Sequence, residues 1–269
     1  MRARLFLNVF TIEARKLMSY RADFWINTLV GSLANFVLVY ILWSAIYLEP
    51  GQIVAGYSFD GMVLYYVLAI LLGRLVTGSG KPLDVGQEIY EGSLSRYLLF
   101  PAPYLSIKYA QRLGMMLPSL IQLAMLLGAY WIFLPRPAEV EFKALAVLQG
   151  VVALCMANAL YYSITVVLQL AAFWADNVWS LVIMMVFVSR LLGGAMVPLA
   201  TFPDAWQPLL AALPFRYCFG FPIDTLMGRV PTHEWFFGMG VSLAWFGLMC
   251  VLGRAVWSRG MLRYSGVGI

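Results

Sequence analysis

The sequence predicts an all-α polytopic membrane protein with six transmembrane helices. Three observations carry this expectation. Hydrophobic residues make up 62% and charged residues 12% of the chain, and the mean hydropathy is +0.81, outside the range of soluble domains. Apolar stretches of about 18 residues or more, enough to cross ~30 Å of hydrocarbon as a helix, recur along the whole chain. The lysines and arginines between those stretches gather on one side, so the net charge of +5 reads as topology and not as a nucleic-acid footprint.

Residues 1–22 hold Arg2, Arg4, Arg15, Lys16 and Arg21. At helical spacing Leu7, Phe10, Ala14, Leu17 and Met18 share one face, opposite Asn8, Arg15 and Ser19. That pattern predicts an amphipathic helix in the inner interface, the alternative being a basic leader that merely obeys the charge rule. The first span, 24–47, starts too late and runs too long for a cleaved signal peptide and is expected to be retained. A loop without Lys or Arg follows, then a second span over 61–78, with Arg74 near its inner end where a long side chain can snorkel.

The stretch 84–103, DVGQEIYEGSLSRYLLFPAP, is the one that fits a membrane least and is expected to form a cytoplasmic helix. A third span is predicted over 113–134, and Pro135, Arg136 and Pro137 mark an external turn. The fourth span, 144–174, is long enough to be tilted or to continue past the interface. A short inner turn at Ala175, Asp176 and Asn177 leads into a fifth span over 178–199. The segment 200–234 carries Pro203, Pro208, Pro214, Pro222 and Pro231 among many aromatic residues. It is too broken by proline for one span and too apolar for a solvated loop, which predicts two short helices re-entering the outer leaflet over 201–227. The sixth span covers 235–256.

Five Lys or Arg fall in 1–22, five between Arg74 and Arg112, and three at the C-terminal end, against Arg136, Lys143, Arg216 and Arg229 on the opposite side. The asymmetry predicts both termini, and the 84–103 stretch, in the cytoplasm. The run Gly78-Ser79-Gly80-Lys81 is not a phosphate-binding loop. Leu75 stands where the first glycine belongs and Pro82 where Ser or Thr belongs. Cys155, Cys218 and Cys250 lack metal-like spacing, and His233 stands alone beside Glu234. No arrangement of carboxylates, serine or histidine suggests catalysis, so the chain is expected to have no catalytic, metal or cofactor residues of its own and to draw any driving energy from outside this polypeptide. An ion-coupled secondary transporter or channel is the alternative, disfavoured because no predicted span carries Asp, Glu or His at its middle. A membrane enzyme or assembly factor acting on lipid is the third reading.

Three polar features fall inside spans. Asn158, Tyr162, Thr165 and Gln169 recur at helical spacing on the fourth, lining either a substrate path or a helix–helix contact. Thr28, Ser32 and Asn35 form a similar row on the first, with a subunit interface as its use. Arg190, about twelve residues into the fifth span, either snorkels outward, pairs with an external acid such as Asp204 or Asp224, or meets an anionic group.

The basic helix before the first span, EIYEGSLSRYLLFPAP after the second, and GGAMVPLATFPDAWQPLLAALPF out of the fifth follow one another in a recognisable order. Over roughly 5–260 the chain resembles a permease of the ABC-2 type, nearest the bacterial branch in which two related six-span permeases are encoded separately. The resemblance implies a bacterial cytoplasmic (inner) membrane location and an assembly of two permeases, alike or different, with two separate ATPase subunits. Those subunits would bind the ATP and Mg2+, and this chain would bind none. It implies that Asp84, Gln87, Glu88, Glu91, Gly92, Ser93 and Arg96 dock on the ATPase, with 174–180 as a minor contact. It further implies that 201–227 closes the pathway outside, between spans one, two and five. The expected activity is ATP-driven export of an amphipathic small molecule or lipid-like substrate, multidrug efflux among the candidates.

Overall fold

The computed structural model describes residues 2–19, 21–49, 51–78, 84–133, 137, 140 and 143–265. The Walker-like run at 79–82, Pro135 and Arg136 of the predicted turn, and the side chains of Leu17, Met18 and Thr28 lie outside what is described. The described residues form α1 (Arg2–Ser19), α2 (Arg21–Ile46), α3 (Phe59–Thr77), α4 (Asp84–Tyr90), α5 (Leu94–Leu98) and α6 (Tyr104–Phe133). They continue with α7 (Ala144–Gln169), α8 (Trp179–Leu192), α9 (Gln207–Ala212), α10 (Pro214–Cys218), α11 (Gly220–Leu226) and α12 (Thr232–Met261). No strand occurs among them, only one isolated bridge between Val54 and Tyr57.

Helix α3 is apolar all round and is therefore buried all round. The Ser58 hydroxyl caps it by accepting the Gly61 N–H at 3.1 Å, and Gly78, at φ +76°, ends it. Helices α2, α6, α7 and α11 pack around it, so that Met62, Leu64 and Leu75 are fully enclosed. Helix α7 is the second organiser, carrying α10, α11 and α12 on its other sides. Glycines permit the close approaches. A Cβ at Gly114 would lie 2.5 Å from the Phe10 carbonyl oxygen, so α1 rests directly on the backbone of α6. On α12, a Cβ at Gly260 would lie 2.1 Å from the Phe173 ring.

By length and composition four described helices are apolar enough to cross a membrane: Phe59–Thr77, Tyr104–Ile132, Ala144–Phe173 and Thr232–Met261. Two shorter apolar helices, Val30–Ile46 and Trp179–Leu192, fall where the first and fifth spans are expected.

Several boundaries differ from expectation. The helix expected across 84–103 is two short helices, because Gly92 takes φ +72°, a left-handed turn that a helix cannot continue through. Helix α6 begins at Tyr104 rather than 113, since Tyr104, Lys108 and Arg112 share a helix face that finds partners on the protein. The helix expected as the fifth span ends at Leu192 rather than 199. There Gly193 and Gly194 pass against α10 and α11, and a Cβ at Gly193 would lie 2.6 Å from the Phe215 carbonyl oxygen. The segment expected to re-enter the membrane contains three short α-helices, not two, with 3-10 turns at Leu199–Thr201 and Asp204–Trp206 ahead of them. On α1 the face turned to the protein runs through Phe10 and Ala14, whereas Leu7 and Ile12 remain exposed.

These approaches make a prediction. Gly114→Val should detach α1 from α6 and lower stability by about 1–3 kcal/mol, the usual cost of overpacking a close contact. Gly128→Ala, where an added Cβ meets nothing, should leave stability unchanged or raised by up to ~1 kcal/mol. Thermal unfolding of the detergent-solubilised variants, with protease sensitivity of the α1 segment, checks both.

Candidate functional site

The densest set of long-range polar contacts lies where α4 and α5 meet the ends of α6, α7 and α12. The N–H groups of Val85 and Gly86 both donate to Gln169 Oε1, at 2.9 and 3.0 Å. These are first-turn donors of α4 with no acceptor in the helix backbone, Val85 sharing its N–H with Asp84 Oδ1, so the last residue of α7 caps a different helix. Gly86 is required for that approach, because a Cβ there would lie 2.9 Å from the Val178 side chain. Beneath, Val85, Ile89 and Leu94 are buried against Val166, Leu170, Phe173 and Val178. Tyr264 reaches back from the C-terminal end. Its hydroxyl donates to the Gly92 carbonyl at 2.6 Å and accepts the Ser95 N–H at 3.0 Å, clamping the turn between α4 and α5.

Glu88 faces inward. Its carboxylate takes Lys108 Nζ at 2.5 Å and the Tyr104 hydroxyl at 2.6 Å. Lys108, itself buried, is 3.9 Å from Asp84 and sits 4.8 Å from the centroid of the Tyr97 ring. Burial pushes the Asp84 carboxyl up from its ordinary range, against the pull of Lys108 and of its bond from the Val85 N–H. The outward face is different in kind. Gln87, which donates to Glu91 at 2.6 Å, is exposed with Tyr90, Glu91 and Arg96, and beside them Leu99 is 88% exposed. A rigid two-helix platform thus presents charge, an aromatic ring and an open leucine on one side, and is hydrogen-bonded to α6, α7 and the end of α12 on the other.

The polar row on α7 points into the protein. Asn158 donates to the Leu75 carbonyl at 2.8 Å and accepts from the Tyr109 hydroxyl at 3.1 Å, joining α7 to α3 and α6. Tyr162 donates to the Leu105 carbonyl at 2.9 Å, and Thr165 to its own helix at Tyr161. Tyr162, Thr165 and Gln169 also line a cavity of about 580 Å³ shared with Asp84, Lys108, Arg112 and Arg190. Arg190 therefore lies with the platform side of the bundle, apart from Asp204 and Asp224. On α2, Ser32 Oγ is buried without a partner among the described residues, and Asn35 bonds back to the Gly31 carbonyl at 2.8 Å.

At the opposite end the irregular segment after α8 is locked to α3. Tyr65 donates to the Gly194 carbonyl at 2.8 Å and Tyr66 to the Met196 carbonyl at 2.9 Å. A tight turn with positive φ at Ala55 and Gly56 projects Tyr57, whose hydroxyl donates to Asp224 at 2.7 Å. The Arg229 guanidinium stacks 3.9 Å from the Tyr57 ring centroid and donates to the Gly56 carbonyl. Burial pushes the Asp224 carboxyl up, with the Tyr57 hydrogen bond and Arg229 opposing.

A family model described as ABC-2 family transporter protein matches residues 33–268, from within α2 past the end of α12. The chain belongs to the ABC-2 transporter family. Comparison with curated proteins and with solved structures gives no match. As an ABC-2 permease the chain is a multi-pass membrane component of an ABC transporter and not its ATPase.

In this permease the residues expected to dock divide into two groups. Gln87, Glu91 and Arg96 are exposed, whereas Glu88, Gly92 and Ser93 are taken up in holding the platform together and Asp84 is only half-exposed. Sequence reasoning missed Tyr104, Lys108, Arg112, Tyr264 and Tyr57. The first three stand four residues apart, so extending α6 toward its N-terminus would have found their shared face. Tyr264 and Tyr57 carry no such signal, because their partners lie more than 160 residues away.

Gln169→Leu should leave the buried Gly86 N–H unpaired, at about 1–3 kcal/mol, strip Val85 of one of its two acceptors, and loosen α4 from α7. Hydrogen exchange at Val85 and Gly86 should rise in this variant, while exchange on the tightly packed centre of α3 stays as in the parent.

Proposed function

We propose that this chain is one of two permeases in an ABC exporter that moves an amphipathic small molecule or lipid-like substrate outward across the cytoplasmic membrane. In this reading the chain crosses the membrane six times with both termini inside. The six crossings are α2, α3, α6, α7, α8 with the segment that follows it, and α12. Two separate ATPase subunits bind ATP and Mg2+ and seat on the exposed face of the α4–α5 platform. The second permease, alike or related, packs beside this one, with α2 and α8 as the apolar faces turned toward it. The segment 201–227 closes the route outside.

One observation carries the reading: a two-helix platform whose outer face is unpartnered and whose inner face is bonded to the ends of α6, α7 and α12. A subunit that binds the platform differently with and without ATP moves those helices with it, and that difference is what a driven conformational change requires. Gln169, Tyr264 and the Lys108–Glu88 pair are the connections through which the movement passes. The Tyr57–Asp224 bond and the Tyr65 and Tyr66 bonds are the contacts that must rearrange for the outside to open.

Affinity purification of the solubilised permease should recover an ABC ATPase, and inverted vesicles carrying the complex should accumulate substrate only with ATP. Recovery of no ATPase, with transport that ignores ATP, would overturn the proposal. A finer test separates the two glutamates. Glu91→Lys should leave folding intact yet cut transport about tenfold or more per ATP hydrolysed, the loss expected when a docking charge pair becomes repulsive. Glu88→Gln should instead lower thermal stability, because it strips Lys108 of its nearest counter-charge.

A further inference from the structure

The cavity between α6, α7 and α8 has an unbalanced charge. It is lined by Lys16, Lys108, Arg112 and Arg190 against Glu13 and Asp84. Lys16 is 4.0 Å from Glu13, and Lys108 is held by Glu88 and Asp84, so those cations are already answered. Arg112 and Arg190 form no ion pair among the described residues.

Arg112 is fixed in place with donors to spare. Its Nη2 donates to the Val76 carbonyl, and the rings of Tyr161 and Tyr162 flank the guanidinium at 5.6 and 5.5 Å. Its Nε is buried and has no partner among the described residues. A guanidinium held this way without a counter-charge is costly, which favours an anion in the cavity that Arg112 lines. Gly78 packs closely against it: a Cβ there would lie 3.3 Å from Arg112 Cζ and 3.4 Å from Nε. Arg190 enters the same cavity from α8, ~16 Å along that helix from Trp179.

The lower part of α8 also says what the anion is attached to. Phe187 stands one turn before Arg190 on the same face, and Ile183 and Met184 stand one turn before that, all exposed. An apolar strip therefore leads to a free guanidinium. A cavity of about 580 Å³ is also several times larger than an inorganic oxyanion needs. We infer that this cavity is a binding site for an anionic amphiphile, its phosphate-type head group held between Arg112 and Arg190 and its chain laid along α8. The inference deepens the export reading by naming the substrate class, and its test uses the permease alone.

The purified permease in neutral maltoside detergent is titrated with dihexanoyl phosphatidic acid, with inorganic phosphate and with dihexanoyl phosphatidylcholine, following thermal unfolding. Phosphatidic acid should raise the unfolding temperature saturably. Arg190→Gln, an exposed position whose loss breaks no internal bond, should weaken that binding about tenfold to a hundredfold, the worth of a charge-assisted hydrogen bond. Arg259→Gln, which removes the same charge from an exposed site on α12, should bind as the parent does. Saturable stabilisation by inorganic phosphate at similar concentration supports the two-arginine site but reassigns the ligand to a free oxyanion. Equal stabilisation by phosphatidylcholine, or binding untouched by Arg190→Gln, overturns the proposal. Because no ATPase enters the measurement, failure to recover an ATPase and failure here are separate results.

Discussion

Wherever a helix breaks inside an apolar environment, its last carbonyls and first N–H groups lose their partners and water is not there to replace them. Much of the long-range bonding in this protein meets that single demand. The final carbonyls of α3, at Leu75 and Val76, are taken by Asn158 and Arg112. Carbonyls released after α8, at Gly194 and Met196, are taken by Tyr65 and Tyr66. Tyr217 and Trp245 take those of Ala211 and Ala212 where α9 ends, and Gln207 takes that of Leu199. The same rule at the other end gives the N–H groups of α4 to Gln169 and the Gly92 carbonyl to Tyr264.

This arrangement makes the helix breaks the mechanically informative points. A continuous helix transmits displacement along its own length, but a broken one transmits it to whichever side chain satisfies the break. The platform is bonded in this way to α7 and to the end of α12, and packed on α6 through Tyr104 and Lys108. Helix α7 in turn bonds to α3 through Asn158, and α3 bonds to the segment after α8 through two tyrosines. A contiguous set of packed helices and hydrogen bonds therefore joins the two ends of the bundle, and α3, buried on every side, is its rigid middle.

Apolar run lengths made the all-α class and most long helices readable, since run length is a one-dimensional property. The polar row Asn158, Tyr162, Gln169 was readable as a row. Its use was not, because periodicity places residues on a face and says nothing of what packs there. Glu88 and Glu91 illustrate the same limit. Three residues apart on one short helix, they looked equivalent, and only packing turned one to Lys108 and left the other exposed. Arg190 had three possible destinations by sequence, and only the packed structure puts it on the same cavity as Arg112.

By itself, the sequence determined that this chain lives in a membrane as a set of helices, which segment is the most polar between the apolar runs, and that the run Gly78-Ser79-Gly80-Lys81 does not fit the Walker pattern. Those are consequences of composition and spacing. The tertiary structure decided where helices stop, which carboxylates are spent on internal pairs, and which guanidiniums are left without one. Those depend on which backbone groups and charges meet across the chain, from 16 residues apart at Tyr104 and Glu88 to 172 at Tyr264 and Gly92, and satisfaction of buried polar groups is a property of the packed whole.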